Sequence, residues 1–273
     1  MTAIACRQVA VPGENWPSRN LMKTNLWRSS FLTQKEQHAL EQAITWSKRF
    51  DTNKDLISES DKAENLLIVA SGWACRYDCV PDGGRQLTAL LVPGDIANLD
   101  TLLFDRITYS VRTLTDVTIV ALPRIRALAL ADQYPGIART FTGLAMVENA
   151  IASKWLLSLG RRSARSRVAH LLCEIAVRLG IEDDDTATLP FPLRQEQIGD
   201  LLGLTAVHVN RMIHQLRAEG FIDVSDRMLT IRDVAALRYA AGFDPTYLNQ
   251  EFNIRALPQR VDRSSAGTKV TGC

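Results

Sequence analysis

The stretch LRQEQIGDLLGLTAVHVNR, residues 193–211, decides how the rest of the chain is read. A short helix from Gln195 to Leu202 would bury Ile198, Leu201 and Leu202. Gly203 would break it, as the turn of a helix-turn-helix often requires. Thr205 is placed to cap a second helix running to about Glu219, its hydroxyl accepting a backbone N–H. Successive helical residues rotate by ~100°, so Val209, Met212, Ile213 and Leu216 gather on one side. Val207, Arg211 and His214 lie opposite, flanked by Ala206, His208 and Asn210, with no acidic side chain among them. Such a face suits the DNA major groove, where an Arg bonds both acceptors of a guanine and a small apolar group packs on a thymine methyl. After Gly220, the run 221–224, the turn Ser225-Asp226-Arg227 and the run 228–232 read as a two-stranded wing with Arg227 at its tip, near a passing phosphate. The competing account, a helical hairpin whose polar face meets water, leaves this order of elements unexplained.

Upstream, 135–159 reads as one long helix carrying Ile137, Phe141, Leu144, Ile151 and Trp155 at heptad-like spacings, interrupted by Glu148. This seam either packs on the preceding domain or forms a parallel helix–helix dimer interface, and the following DNA-binding pattern favours the dimer. Gly160 and the basic run Arg161-Arg162-Ser163-Ala164-Arg165-Ser166-Arg167 mark a break, then a helix with Val168, Leu171, Leu172, Ile175 and Leu179 on one face. The four arginines are a solvated helix start or a first phosphate contact. The acidic run 182–185 reads as an exposed loop.

Before the long helix the pattern is different. Residues 1–20 form a loose lead-in with Pro12, Gly13 and Pro17, and 21 to about 48 look helical, with Thr33 and Glu36 as a capping box. Short apolar segments at 66–69, 73–80, 86–92 and 117–122 are separated by turns at Pro81-Asp82-Gly83-Gly84 and Pro93-Gly94-Asp95. This predicts a small antiparallel barrel or jelly roll. The fold class is therefore α+β: an N-terminal antiparallel barrel or jelly roll, a long dimerisation helix and a C-terminal winged helix-turn-helix.

Composition limits the function classes. The 273 residues are 46% hydrophobic and 23% charged with net charge +2, the profile of a soluble globular protein. Past residue 160, 15 basic residues face 14 acidic ones, so DNA binding rests on local placement and not on bulk charge. No apolar run suits a membrane span and the N-terminus lacks a secretory pattern, which predicts a cytoplasmic protein with no membrane partner. Five scattered cysteines argue against a disulfide framework. No zinc-protease, phosphate-loop or nucleophile-elbow motif occurs, so no catalytic residue, metal site or enzyme activity is expected.

The order of barrel, long helix and winged helix resembles the Crp/Fnr superfamily of bacterial transcription regulators over roughly 21–245. Residues 193–211 are close to that family's helix-turn-helix signature, and the segments 72–77, 81–83, 93–95, 160–164 and 167–172 match other parts of it. The resemblance implies this division: lead-in 1–20, cyclic-nucleotide-binding-like sensor barrel 21–134, dimerisation helix 135–160, winged helix-turn-helix 161–245 and tail 246–273. It implies a homodimer on a near-palindromic double-stranded DNA operator, with RNA polymerase a candidate further partner. Arg211 falls where the family places a guanine-reading arginine. Val207 falls where catabolite-activator relatives carry an acidic, cytosine-reading residue. Thr205, His208, Arg194 and Gln195 become candidates for backbone contacts.

Two departures concern the effector. The segment after Pro93-Gly94-Asp95 lacks the family's ribose-binding Glu, and Ile107-Thr108-Tyr109-Ser110 stands near its phosphate-binding Arg-Ser pair. No cyclic AMP binding is expected, while Arg106 and Arg112 could line a shifted anion pocket. The cysteines lack a cluster-ligating pattern, and Cys75 and Cys79, four apart in a strand, read as buried small hydrophobes on one side. His38 and His170 stand alone, so no haem ligand is supported and no cofactor is expected. The alternative reading is a small-molecule or redox sensor whose barrel does the primary work. The tail, with Arg255, Arg260 and Arg263, either touches DNA or is a disordered end.

Overall fold

A computed structural model of the chain describes residues 26, 29–181 and 186–248. The lead-in 1–20, the acidic run 182–185 and the arginines of the tail lie outside the described residues. The first element among the described residues is α1 (Gln34–Ala43), capped as the sequence suggests: Glu36 N–H donates to Thr33 Oγ1, and Thr33 N–H donates to the Glu36 carboxylate. The helix expected up to about Lys48 ends at Ala43, because Trp46–Phe50 is a strand, β1, recruited by antiparallel pairing with β7.

Among the described residues, seven strands form two antiparallel sheets before the long helix: β1, β2 (Asp55–Ile57), β3 (Asn65–Ser71), β4 (Ala74–Cys79), β5 (Arg85–Leu91), β6 (Ser110–Thr113) and β7 (Val117–Pro123). One sheet has the order β1-β7-β3, the other β2-β6-β4-β5. The unit is thus jelly-roll-like and not a closed barrel. Its interior is filled from both sheets by Val69, Ala74, Leu91, Val111, Val117 and Ile119. The sequence missed β1, β2 and β6, which are short and carry few buried side chains. A bulge between Arg76 and Tyr77 shifts the alternation of β4. Cys75 is therefore buried and Cys79 exposed, contrary to the expectation that both face inward.

After α2 (Arg124–Gln133), the long helix α3 spans Pro135–Arg161. Ile137 and Phe141 are buried with Leu66, Ile68, Val120 and Leu122, and Leu144 packs against the same cluster. Trp155 belongs to the core of the C-terminal half, with Ile151 packed against it. The seam assigned to a dimer interface therefore faces its own chain. Burial of each such side chain stabilises the fold by about 1.5–3 kcal/mol, and heptad-like spacing alone cannot tell an intrachain stripe from an interchain one. The solvent-facing row of α3 is instead Ala145, Met146, Asn149, Ala152, Ser153 and Leu156.

The C-terminal half comprises α4 (Ala164–Arg178), β8 (Ala187–Pro190), α5 (Gln195–Leu202), α6 (Ala206–Ala218), β9 (Ile222–Ser225), β10 (Met228–Ile231) and α7 (Val234–Ala241). The wing gains a third strand, in the order β8-β10-β9, because residues 187–190 pair with β10. A single apolar cluster joins this half to the outer side of β4 and β5 through Trp73, Cys75, Leu87 and Leu90. Polar contacts reinforce the junction: Arg85 pairs with Asp200, and Gln86 Nε2 donates to the Leu201 carbonyl at 3.2 Å. No helix among the described residues is long and apolar enough to cross a membrane.

Candidate nucleic-acid interface

The α5–α6 turn follows from two glycines. Gly203 adopts φ 62°, a left-handed conformation that costs glycine little, and Gly199 lies against the Leu204 carbonyl oxygen so closely that a Cβ would overlap it. The Leu204 N–H then donates back to Gly199 O at 3.1 Å. Thr205 Oγ1 accepts from the His208 N–H at 3.3 Å and starts α6.

Val209, Met212, Ile213 and Leu216 are the buried face of α6. On the other side Val207 is 81% exposed, and Arg211 and His214 are exposed. Ala206, His208 and Asn210 are half-buried at the borders, while Thr205 is exposed. Arg194 and Gln195, also exposed, stand at the start of α5. Arg227 is exposed in the two-residue turn between β9 and β10, where Asp226 and Arg227 have φ 49° and 61° as a tight hairpin turn needs. The structure thus brings Thr205, Val207, Arg211 and His214 onto one helix face. Arg211 and Arg227 have no side-chain partner among the described residues.

The basic run before α4 behaves differently. Arg165 is paired with Glu219, Arg162 Nη1 donates to Ser158 Oγ at 2.6 Å, and Arg167 Nη1 donates to the Leu202 carbonyl at 3.1 Å. These three brace the junction of α3, α4 and the helix-turn-helix, and only Arg161 of the run is left for a phosphate.

Arg106 and Arg112, expected to line an anion pocket, do not line the cavity beside α3. Arg112 makes a two-point ion pair with Asp55 at 2.7 Å on the outside of the sheet, and Arg106 is exposed. A cavity of about 110 Å³ lies elsewhere, between β5, the Pro93-Gly94-Asp95 turn and α3. Leu90, Leu91, Ile96, Leu144, Glu148 and Arg178 are among its lining residues. Sequence reasoning missed the cation beside it. Arg76 is buried, donates Nε to Ala97 O at 2.7 Å and Nη2 to Ile96 O at 3.1 Å, and is ion-paired with Glu148. Its signal was an arginine in the otherwise apolar first half of β4. Burial pushes the Cys75 and Cys173 thiols up to about 12, so neither supplies a thiolate near neutral pH.

Comparison with known proteins agrees with this geometry. The family model of the Crp-like helix-turn-helix domain matches residues 166–240, and that of the cyclic nucleotide-binding domain matches 47–134. The chain is 31% identical to the nitrogen fixation regulation protein FixK of Azorhizobium caulinodans, over 69% of this chain and 76% of that one. It is 28% identical to the transcriptional activator protein FnrL of Cereibacter sphaeroides, over 77% and 86%. The solved structure of FixK2 from Bradyrhizobium japonicum superposes with a TM-score of 0.66 at 25% identity, covering 73% of this chain and 98% of that one. The chain belongs to the Crp/Fnr family, DNA-binding transcription regulators and not enzymes.

Proposed function

We propose that the chain acts in the cytoplasm as a homodimer on a near-palindromic operator and does so without cyclic AMP. The observation that carries this reading is the acid-free, solvent-facing side of α6, where Arg211 has no side-chain partner among the described residues while the core face of the helix is buried. Arg211 reads a guanine and Val207 packs on a thymine methyl. Thr205, His208, Arg194 and Gln195 hold the backbone, Asn210 and His214 flank the bases, and Arg227 meets phosphate from the wing. Ala206 allows close approach at the helix start.

The residues divide as a sensor-like unit to 134, a dimer helix over 135–160 and a DNA-binding unit over 161–245. The dimer partner is a second copy meeting α3 along the row Ala145, Asn149, Ala152 and Leu156, whose three- and four-residue spacing, two alanines and exposed leucine suit helix packing. RNA polymerase is the further partner this reading implies. Independence from cyclic AMP is supported by Arg76, whose charge Glu148 already neutralises. Selection of bound duplexes from a random library with the purified chain tests the whole. The expected product is an inverted repeat with half-sites about one helical turn apart. Equal, purely salt-governed affinity for every duplex would overturn the reading.

A further inference from the structure

The Crp-like helix-turn-helix match ends at residue 240, yet the chain continues as an ordered turn, Pro245–Leu248, that packs against both α3 and α4. Tyr247 and Leu248 are buried there. The Tyr247 hydroxyl donates to Glu174 at 2.7 Å. Glu174, fully buried on α4, also accepts from Trp155 Nε1 of α3 at 3.0 Å. Arg178, one turn further along α4, lies 3.6 Å from Glu174 and 2.6 Å from Asp95 of the sensor-like unit. Leu248 closes one wall of the cavity that Asp95 and Arg178 also line. One tyrosine thus completes a buried polar chain running from the C-terminal turn through the DNA-binding unit to both the long helix and the sheet unit.

We propose that Pro245–Leu248 is a strap that fixes the DNA-binding unit relative to the dimer helix, with Tyr247 as a positioning residue for operator binding. The strap does not mask the reading face, since Val207, Arg211 and His214 stay exposed in the strapped arrangement. That face is free to bind, and the strap acts instead on how the two half-site contacts are spaced. Two half-site contacts reinforce each other only when their spacing is held, because the effective concentration of the second contact depends on the stiffness of what joins them. The inference rests on the homodimer reading above.

The test compares the affinity of the full chain for its selected inverted repeat and for a single half-site at one salt concentration. Tyr247→Phe keeps the ring stacked on His170, which lies 6.1 Å away, and removes only the hydroxyl. It should lower full-site affinity about tenfold and leave half-site affinity unchanged. Asp95→Asn, which weakens the far end of the chain, should act in the same direction and serves if Tyr247→Phe does not fold. Simple destabilisation would lower both affinities together and would count against the strap. A wild-type full-site advantage that survives both substitutions overturns the strap alone. A wild-type chain with no full-site advantage overturns the homodimer reading and the strap with it.

Discussion

On α6, Arg211 is exposed with no carboxylate partner among the described residues, whereas Arg76, on β4, is buried, bonded to two carbonyls and paired with Glu148. Both are arginines in a region where the family resemblance places ligand recognition, and the contrast separates an exposed cation from one paired inside the chain. A guanidinium is hydrated and ready when exposed, so it exchanges water for base acceptors at modest cost. A buried guanidinium with an internal carboxylate has had its desolvation compensated within the chain, and an incoming anion must first displace Glu148. Arg211 and Arg227 have no side-chain partner among the described residues, whereas Arg76 and Arg112 of the sheet unit are each paired with a carboxylate of the same chain.

The sharpest way to break the contrast is at its open end. Arg211→Ala should cost about 1–3 kcal/mol, or roughly 5- to 160-fold, in operator affinity, and relax preference at one base pair per half-site. Quantitative binding to operator variants checks this; a loss shared equally by all duplexes would make Arg211 a phosphate contact instead. At the closed end, Glu148→Ala leaves Arg76 buried with only its carbonyl partners. Stability should fall by about 1–3 kcal/mol, less than the ~3–5 kcal/mol for breaking a fully buried pair because Glu148 is partly exposed. Denaturant unfolding measures it, and an unchanged midpoint would show that the pair contributes no net stability.

Legibility in the sequence follows the same divide. The helix-turn-helix was readable because its determinants are local: Gly203 at the turn, Thr205 at the cap and the 3.6-residue period that separates Val209 from Arg211. The seam of α3 was readable as a stripe but not as an address, since Ile137 and Trp155 meet partners that only the tertiary fold supplies. Arg106 and Arg112 were named by proximity in sequence, yet β6 turns Arg112 outward onto Asp55. Arg76 and Tyr247 were missed because each is defined by a partner far along the chain, 72 and 73 residues away. No local pattern encodes such a pairing.

The histidines offer a subtler contrast. His208 and His214 lie on the reading helix, while His170 is buried between Phe243 and Tyr247. Burial, together with the charges of Arg162 and Lys154, lowers the His170 pKa from the usual 6.5 to about 3. The folded chain thus refuses a proton that the unfolded chain accepts once pH drops below about 6.5. The stabilising preference for the neutral ring is fully present above that pH and is lost as pH falls towards 3. Between pH 7 and 5.5 the loss should be about 1 kcal/mol from this group. Parallel unfolding curves for the wild type and His170→Phe measure it. If the variant keeps the same slope over this window, His170 is not its source.

The smallest expected effect is the response to cyclic AMP, and it bears most directly on the closed site. A cyclic phosphate entering the cavity beside α3 needs a cation to offset the loss of its hydration. The nearest candidates are both occupied: Arg76 by Glu148, and Arg178 by Asp95 and Glu174. Displacing any of these three carboxylates would leave it next to the phosphate, so attraction and repulsion arrive together. The cavity, at about 110 Å³, is also lined largely by aliphatic side chains. Saturating cyclic AMP should therefore change operator affinity less than about twofold, a coupling below about 0.4 kcal/mol. Operator titrations with and without the nucleotide decide it, and Glu148→Gln sharpens them. If the nucleotide binds the variant but not the wild type, the internal carboxylate is what closes the site. If both bind it equally, the pairing of Arg76 is not the barrier, and the contrast between the two arginines loses its functional meaning.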